Sequence, residues 1–304
     1  MKEMNDKKKN LHELIQNMTA PLSPFPTELP SKLKKLDSIK AVLLDVYGTI
    51  LISGTGDIGI AEEKNNDFPI SGILENEGLA LLCDRNSIDD RFSGLIIDYI
   101  KEDHKKSKSE GILYPEVDIR DIWNRILNTM LNENYIDGDI DEGKIERASV
   151  AYECLTNPVW PMPGADLLIN HLYDSPLKAG IVSNAQFYTE PILETLLDFR
   201  IGEDFFPESL LFYSFEQKQA KPSEDFFSSA VLKVKKLYNI DAHEILYVGN
   251  DMLNDVYTAS KCGCRTALFA GDKRSLRLRA SDERCRDLEP DLTLTSLSQL
   301  IEIL

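Results

Sequence analysis

Four groups of polar residues lie beside short apolar runs in this sequence, and their side chains could together transfer an anionic group. A carboxylate can act as a nucleophile, a hydroxyl can hold an anion by a hydrogen bond, and a lysine can neutralise charge. Acidic and amide oxygens can also bind a hard metal ion. The groups are Asp45 with Gly48 and Thr49; Ser183 and Asn184; Lys221; and Asn250, Asp251 and Asp255.

The apolar runs beside these groups predict the strands that would position them. Asp45 directly follows the first run. Because open α/β sheets bind ligands outside the carboxyl ends of their strands, a carboxylate at this point lies where a ligand is expected. The five predicted strands are Ala41–Leu44, Ala179–Ser183, Leu210–Tyr213, Ile245–Val248 and Thr266–Phe269.

Segments with helical spacing of apolar residues separate most of these strands. Alternating strands and helices predict an α/β fold with three layers, in which helices flank both faces of a parallel sheet. The predicted helices are Asp166–Tyr173, Pro191–Leu197, Glu224–Leu237, Met252–Ser260 and Ser296–Ile303.

A long insertion separates the first two predicted strands. About 130 residues lie between them, whereas a crossover between parallel strands needs only a dozen or more. Helical spacing recurs in Ile88–Lys101, Val117–Asn132 and Gly143–Thr156. We therefore predict a helical cap over residues 60–158, which can act as a lid because it begins beside Asp45. The core is then formed by residues 38–59 and 159–304.

The N-terminal segment differs in composition from the rest. Residues 1–37 are polar and contain four prolines between positions 21 and 30. Four prolines in ten residues exclude a helix or a central strand there. We expect an extended arm over the surface, with room for one short helix before it.

Composition limits the classes of partner that the protein is expected to bind and the cellular compartment in which it is expected. The net charge of −17 repels nucleic acids and anionic membranes, and no run approaches the 18 apolar residues of a membrane span. The five cysteines are an odd number in irregular places, without the spacing of a redox or zinc pair. We expect a cytoplasmic protein that acts on a small molecule, and the oligomeric state is not predicted.

The four polar groups, in this order, resemble motifs I to IV of the haloacid dehalogenase (HAD) superfamily of hydrolases. The likeness covers roughly residues 38–52 and 160–295, and the insertion lies where that family carries its C1-type cap. The segment Trp160-Pro-Met-Pro-Gly-Ala165 is also typical of the family. The resemblance implies a Rossmann-like core with a helical cap after the first strand.

The resemblance also assigns roles to individual residues. Asp45 would be a nucleophile that forms an aspartyl phosphate or a similar covalent intermediate. Lys221 would neutralise charge on Asp45 and the substrate, and Ser183 would donate a hydrogen bond to the transferred group. The expected catalytic residues are Asp45, Thr49, Asp57, Ser183 and Lys221, and the expected substrate-binding residues are Gly48, Ser183, Asn184 and Lys221.

A magnesium ion is the expected cofactor. Its ligands would be Asp45, the backbone carbonyl of Tyr47 and an oxygen of Asn250 or Asp251, because Mg²⁺ takes oxygen ligands. Asp255 would orient Lys221 or a metal-bound water. In the family pattern an Asp is usual at the position of Asn250, and an amide supplies no charge.

The motif I variant Asp45-Val-Tyr-Gly-Thr49 lacks the second acid of HAD phosphatases, which protonates the leaving group. Tyr47 stands at that position, and a tyrosine with a pKa of about 10 cannot act as a base near neutral pH. We predict that Asp57 supplies the missing acid. A cap carboxylate such as Asp89 or Asp90 is the alternative.

Three functions remain open at this point. A Mg²⁺-dependent hydrolase of small phosphorylated metabolites is favoured. The second is a metal-independent 2-haloacid dehalogenase, because the DxYGT variant resembles the motif I of those enzymes, which need no leaving-group acid. The candidate cap residues for binding a haloacid carboxylate are Arg91, Arg120 and Arg125. A HAD-fold binding or regulatory protein without catalysis is the third.

Overall fold

The computed structural model describes residues 2–55, 69–202 and 206–304. It contains one large sheet, two small two-stranded sheets and helices on both sides of the large sheet. The strands are β1 (Ala41–Leu44), β2 (Leu51–Ser53), β3 (Ala80–Leu81), β4 (Ile136–Asp137), β5 (Val159–Pro161), β6 (Lys178–Ser183), β7 (Leu211–Tyr213), β8 (Ile245–Gly249), β9 (Arg265–Phe269) and β10 (Leu292–Leu294). The α-helices are α1 (Lys2–Met18), α2 (Ile70–Asn76), α3 (Arg85–Ser109), α4 (Ile119–Asn132), α5 (Glu142–Thr156), α6 (Ala165–Asp174), α7 (Thr189–Leu197), α8 (Ser214–Gln217), α9 (Glu224–Tyr238), α10 (Thr258–Lys261) and α11 (Ser298–Ile303).

The large sheet is parallel, with the strand order β10-β9-β8-β1-β6-β7. This confirms the predicted α/β class, and all five predicted strands form. The three-residue strand β10 at the edge was not predicted. Leu44 of β1 pairs with Ile181 of β6 and Val248 of β8, so the end of β1 lies between the ends of its two neighbours.

Alternate residues of β1 pack into two different apolar clusters. Val42 and Leu44 belong to a cluster that includes residues of α6 and α7. Ala41 and Leu43 belong to a second cluster with residues of α9. Because successive side chains of a strand point to opposite faces, the apolar run is explained by burial on both faces. This arrangement gives the three layers.

The helical insertion after β1 and β2 is also confirmed. It leaves the core along β2 and returns along β5, and these two strands pair antiparallel with Leu51 opposite Pro161. Helices α2 to α5 form its body around Phe92, Trp123 and Tyr152, whose ring centroids lie 4.8–5.8 Å apart. The exact division of the chain into arm, core and cap stays a prediction.

The N-terminal segment begins with the 17-residue helix α1, which is longer than the one short helix that the sequence allowed before the extended arm. The apolar residues Leu11, Leu14, Ile15 and Met18 recur at helical spacing and pack on the protein, with Ile15 fully buried. The proline-containing part that follows has extended backbone, and Lys32 bridges to β10.

Candidate active site

Asp45 lies at the carboxyl end of β1, where its backbone N–H donates to the carbonyl of Val248 at 2.9 Å. The side chain is only 6% exposed. Its Oδ1 accepts hydrogen bonds from Ser183 Oγ at 2.9 Å and from Lys221 Nζ at 2.8 Å. Its Oδ2 receives no hydrogen bond from any residue that the structure describes. One oxygen is therefore held by the core, and the other is available to a ligand.

The ammonium of Lys221 lies between two buried carboxylates. Its Nζ is 2.8 Å from Asp45 Oδ1 and 2.6 Å from Asp255 Oδ1, and it also donates to the Tyr247 hydroxyl at 2.7 Å. Burial disfavours the ammonium, but the two carboxylates outweigh burial and raise the pKa of Lys221. The lysine thus stays charged.

Asp255 shares that lysine with Asp45. Burial raises the pKa of Asp255 to about 6; Lys221 opposes this shift, and the nearby carboxylates of Asp45 and Asp251 add to it. Because two carboxylates share one ammonium, the charged form of Asp255 is disfavoured. Asp255 Oδ1 lies against Lys221 Nζ, and its role in orienting the lysine or a metal-bound water stays a prediction.

Asn184 lines the cavity between cap and core, and its side chain also contacts the backbone of Lys221. Its Oδ1 accepts from the Lys221 N–H at 2.7 Å, and its Nδ2 donates to the Lys221 carbonyl at 3.1 Å. This pair of hydrogen bonds fixes the loop that carries the lysine. Asn184 holds the Lys221 backbone in this structure, and its predicted role in substrate binding stays a prediction.

The turn after β1 is tightly packed. Gly48 has a φ of +82°, and a Cβ added to it would lie 2.4 Å from the Cβ of Ser275, so only glycine fits. Thr49 is fully buried, and its hydroxyl donates to Asn250 Oδ1 at 3.1 Å. The Thr49 side chain therefore joins the turn to the end of β8, and its catalytic role stays a prediction.

Tyr47 points its hydroxyl at α7, where it lies 3.0 Å from Thr189 Oγ1. Burial raises the pKa of Tyr47 well above its ordinary value, and the negative charge of Glu153 adds to the shift. The phenol therefore stays protonated and cannot act as a base. This agrees with the interpretation that the missing acid comes from elsewhere.

Asp251 begins a π-helix, Met252–Tyr257, at the end of β8. Its Oδ1 accepts from the backbone of Leu253 at 2.8 Å, and its Oδ2 accepts from Arg279 Nη2 at 2.6 Å. A regular helix had been predicted here. The Val256 N–H instead reaches the Asp251 carbonyl five residues back, a π-helical pattern often found at functional sites.

Sequence reasoning missed Tyr247, Ser275 and Arg279. Tyr247 lies inside a strand whose apolar pattern gave no sign of a polar role. Ser275 accepts from Asn250 Nδ2 through its carbonyl at 2.6 Å, and together with Arg279 it belongs to a loop without periodicity. Only the fold brings this loop to the site.

The donor set at this site fits a magnesium ion. Among the described residues, no group of three or more His, Cys, Asp or Glu side chains could hold a metal ion. The Asp45 carboxylate, the Tyr47 carbonyl and Asn250 Oδ1 are nevertheless hard oxygen donors. Mg²⁺ commonly takes one or two carboxylates and keeps several waters, so a small protein ligand set suits it. Asp251 is engaged by Arg279 in this arrangement.

The candidates for the leaving-group acid lie in different environments. Asp57 is outside the described residues. Asp89 accepts from the backbone N–H of Ser71 at 2.8 Å and so caps α2. Asp90 is exposed on α3. Neither cap carboxylate lines the cavity between cap and core.

Each of the three cap arginines already has an acidic partner. Arg91 pairs with one glutamate, and Arg120 with the aspartate that caps its own helix. Arg125 pairs with two acids of α3. None of them is presented as a free cation for a haloacid carboxylate. The partners are Glu133, Asp118, Glu102 and Asp103.

The chain matches the family of haloacid dehalogenase-like hydrolases over residues 95–269, which is more than half of its length. The protein therefore belongs to that family. The described residues include no helix long and apolar enough to cross a membrane.

Individual relatives are distant. A human phospholysine phosphohistidine inorganic pyrophosphate phosphatase is 31% identical over 84 residues, which are 28% of each chain. A glyceraldehyde 3-phosphate phosphatase of Pyrococcus abyssi is 29% identical over 108 residues, 36% of this chain and 42% of that one. These matches span less than half the length of either relative.

Among solved structures, the 2-haloacid dehalogenase of Pseudomonas syringae is similar with a TM-score of 0.55. The sequences are 16% identical over 87% of this chain and 97% of that one. At this identity the likeness supports the fold alone.

Proposed function

We propose that the protein is a Mg²⁺-dependent phosphatase of small phosphorylated metabolites, with Asp45 as its nucleophile. The observation that carries this proposal is the state of the Asp45 carboxylate, since Lys221 and Ser183 hold Oδ1 and leave Oδ2 without a described partner. A fixed carboxylate beside a buried ammonium is suited to attack an anionic phosphorus centre.

In the first step, Asp45 Oδ2 forms a bond to phosphorus, and the bond from phosphorus to the leaving oxygen breaks. That oxygen takes a proton from Asp57. In the second step, water attacks the aspartyl phosphate, its proton passes to Asp57, and the bond to Asp45 breaks. Lys221 stays charged throughout and offsets the negative charge of the phosphoryl group.

The metal ion would be held by Asp45 and the Tyr47 carbonyl, with Asn250 as a third donor. When bound, Mg²⁺ supplies positive charge that stabilises the phosphoryl oxygens. Thr49 and Ser275 keep the Asn250 amide in one orientation, because its oxygen accepts from the former and its nitrogen donates to the latter.

The decisive experiment compares Asp45→Asn with the unaltered protein in two assays. One measures phosphate release from aryl phosphates with Mg²⁺, and the other measures halide release from chloroacetate without metal. We expect phosphate release that needs Mg²⁺ and falls at least about a thousandfold in the variant.

The other outcomes identify the alternatives. Halide release without metal would indicate a dehalogenase, which the DxYGT motif favours because Tyr47 replaces the acid that a phosphatase needs. The paired cap arginines weigh against that reading. No reaction in either assay, from a folded protein, would indicate a binding or regulatory role.

The assignment of Asp57 has its own test. Because general acid–base catalysis contributes about a hundredfold or more, Asp57→Asn should slow turnover by at least that factor. The loss should be smaller for substrates with good leaving groups, such as 4-nitrophenyl phosphate, than for alkyl phosphates. Asp98→Asn, at an exposed position of α3, is the matched control, and equal turnover of the Asp57 and Asp98 variants would exclude Asp57.

A further inference from the structure

A cavity of about 380 Å³ lies between the cap and the core. Its core side includes Asn184 and Ala185, which follow Ser183, and Asn254, which precedes Asp255. The cavity therefore begins beside the residues that surround Asp45 and extends into the cap. Its volume is in the range of pockets that bind small organic molecules.

The cap side of this cavity includes an apolar wall, beside the polar residues Lys101, His104 and Glu116. Helix α3 supplies three isoleucines along one face, α4 supplies Trp123, and α5 supplies Tyr152. Ile97 and Ile100 are only partly buried, so they offer apolar surface to a ligand. A hydrocarbon or aromatic group placed here would be removed from water, which is favourable in proportion to its area.

Glu153 is a buried carboxylate in the wall of the same cavity. It is 8% exposed, and its two oxygens accept from the Tyr188 hydroxyl at 2.8 Å and from Asn157 Nδ2 at 3.0 Å. Both donors are neutral. Burial raises the pKa of Glu153, since no cation among its described hydrogen-bond partners offsets the lost hydration.

Each oxygen of this carboxylate can accept a further hydrogen bond. A hydrogen-bond donor of the ligand, above all a charged one, would stabilise the buried Glu153 carboxylate. The same donor would stabilise an exposed glutamate less, because that group is already hydrated. Asn157 also accepts from Ser53 Oγ of β2 at 2.7 Å, which fixes this wall to the strand that connects cap and core. The acceptor is therefore held in place.

We propose that this cavity selects a phosphomonoester whose organic part is mainly apolar and ends in a hydrogen-bond donor, a hydroxyl or an ammonium, that binds Glu153. The proposal rests on the phosphatase function proposed above. It excludes sugar phosphates as preferred substrates, because their hydroxyl groups would lose hydration against the isoleucine wall.

The test measures binding of linear alkylphosphonates by calorimetry with the full-length protein and Mg²⁺. Phosphonates are not hydrolysed, so the result does not depend on turnover. The dissociation constant should fall about fourfold for each added methylene from ethyl to hexyl, as expected for burial of methylene groups. A chain-length effect below about 1.5-fold for each methylene would overturn the proposal.

Two variants separate the two parts of the proposal. Ile100→Asp should remove the gain with chain length, while Leu167→Asp on the exposed face of α6, outside the cavity, should keep it. Glu153→Gln should reduce the preference for 6-aminohexyl over hexyl phosphonate at least tenfold. The 6-hydroxyhexyl compound distinguishes a hydroxyl from an ammonium.

The outcomes for this cavity and for the phosphatase are separable. A chain-length gain in binding without phosphate release from hexyl phosphate would contradict the phosphatase and support the ligand class. Asp45-dependent phosphate release from acetyl phosphate, with no gain in binding with chain length, would support the phosphatase and contradict the ligand class. If either variant fails to fold, the series on the unaltered protein still decides the ligand class.

Discussion

The core and cap sides of the candidate site treat buried charge in different ways. On the core side, Lys221 lies between Asp45 and Asp255, so opposite charges are provided within the fold. On the cap side, Glu153 is also buried, and its donors among the described residues are the neutral Tyr188 and Asn157. The comparison suggests that the core side is complete before a ligand arrives, whereas the cap side is completed by the ligand.

The largest effect should follow from removing the central cation of the core side. Lys221→Met would leave Asp45 and Asp255 buried without their ammonium. Breaking a buried pair in this way costs about 3–5 kcal/mol of unfolding free energy. Urea denaturation measures that loss directly.

A surface pair provides the control for that measurement. Lys235 lies 2.8 Å from Asp241, and both side chains are about half exposed. Because exposed pairs contribute about 1 kcal/mol or less, Lys235→Met should be nearly neutral. Equal losses of unfolding free energy in the two lysine variants would show that the buried ion pairs of Lys221 stabilise the protein no more than the surface pair does.

A smaller effect should follow from adding one methyl group to the core side. The Cβ of Gly249→Ala would lie 2.3 Å from Asp255 Cγ, so the acid must move away from Lys221. Overpacking of this kind costs about 1–3 kcal/mol. We expect lower thermal stability and lower turnover.

The cap offers a matched glycine for comparison. A Cβ at Gly94, inside α3, would meet no atom within 4 Å. Gly94→Ala should therefore stabilise the protein by about 0.5–1 kcal/mol, because alanine favours a helix more than glycine does. If both alanine variants are stabilising, the close packing around Asp255 is not a constraint.

The smallest effect concerns the pH dependence of the cap side. Because the pKa of Glu153 is raised, the folded state keeps that proton to a higher pH than the unfolded state does. The free energy of unfolding should then fall as pH rises from about 4.5 through the raised pKa, and stay low above it. Glu153→Gln cannot ionise, so its stability should fall less between pH 5 and pH 8.

Chemical denaturation at several pH values measures this difference, and Glu110→Gln at the exposed end of α3 is the control. If the pH dependence is unchanged in Glu153→Gln, other groups of the folded protein must offset the hydration that the Glu153 carboxylate loses on burial. That result would remove the contrast between the two sides of the site.

The sequence predicted the core side better than the cap side because the core side depends on local signals. The run Ala41–Leu44 forms a strand with the predicted bounds, and the polar residues after several strands meet around Lys221. An apolar run predicts a strand, and the end of the run predicts where that strand ends. A parallel sheet then brings the carboxyl ends of its strands to one edge. The family resemblance then supplied the chemistry.

The rest depends on contacts that no local pattern records. Glu153 lies within α5 and looks in the sequence like an ordinary acid on a helix surface. Arg279 and Ser275 reach the site only through the path of a loop. Strand β10 has three residues, too few for a periodic signal, and it pairs only because β9 lies beside it.

Helix α1 has a mechanical consequence for the whole molecule. Leu14 and Met18 pack against the apolar clusters of both cap and core, and His12 lies 3.3 Å from Glu194 of α7. The cap joins the core through the strand pair β2 and β5, and this connection alone would allow the cap to rotate relative to the core. Because α1 packs on α5 of the cap and on α7 of the core, a rotation of the cap relative to the core would break contacts of this helix.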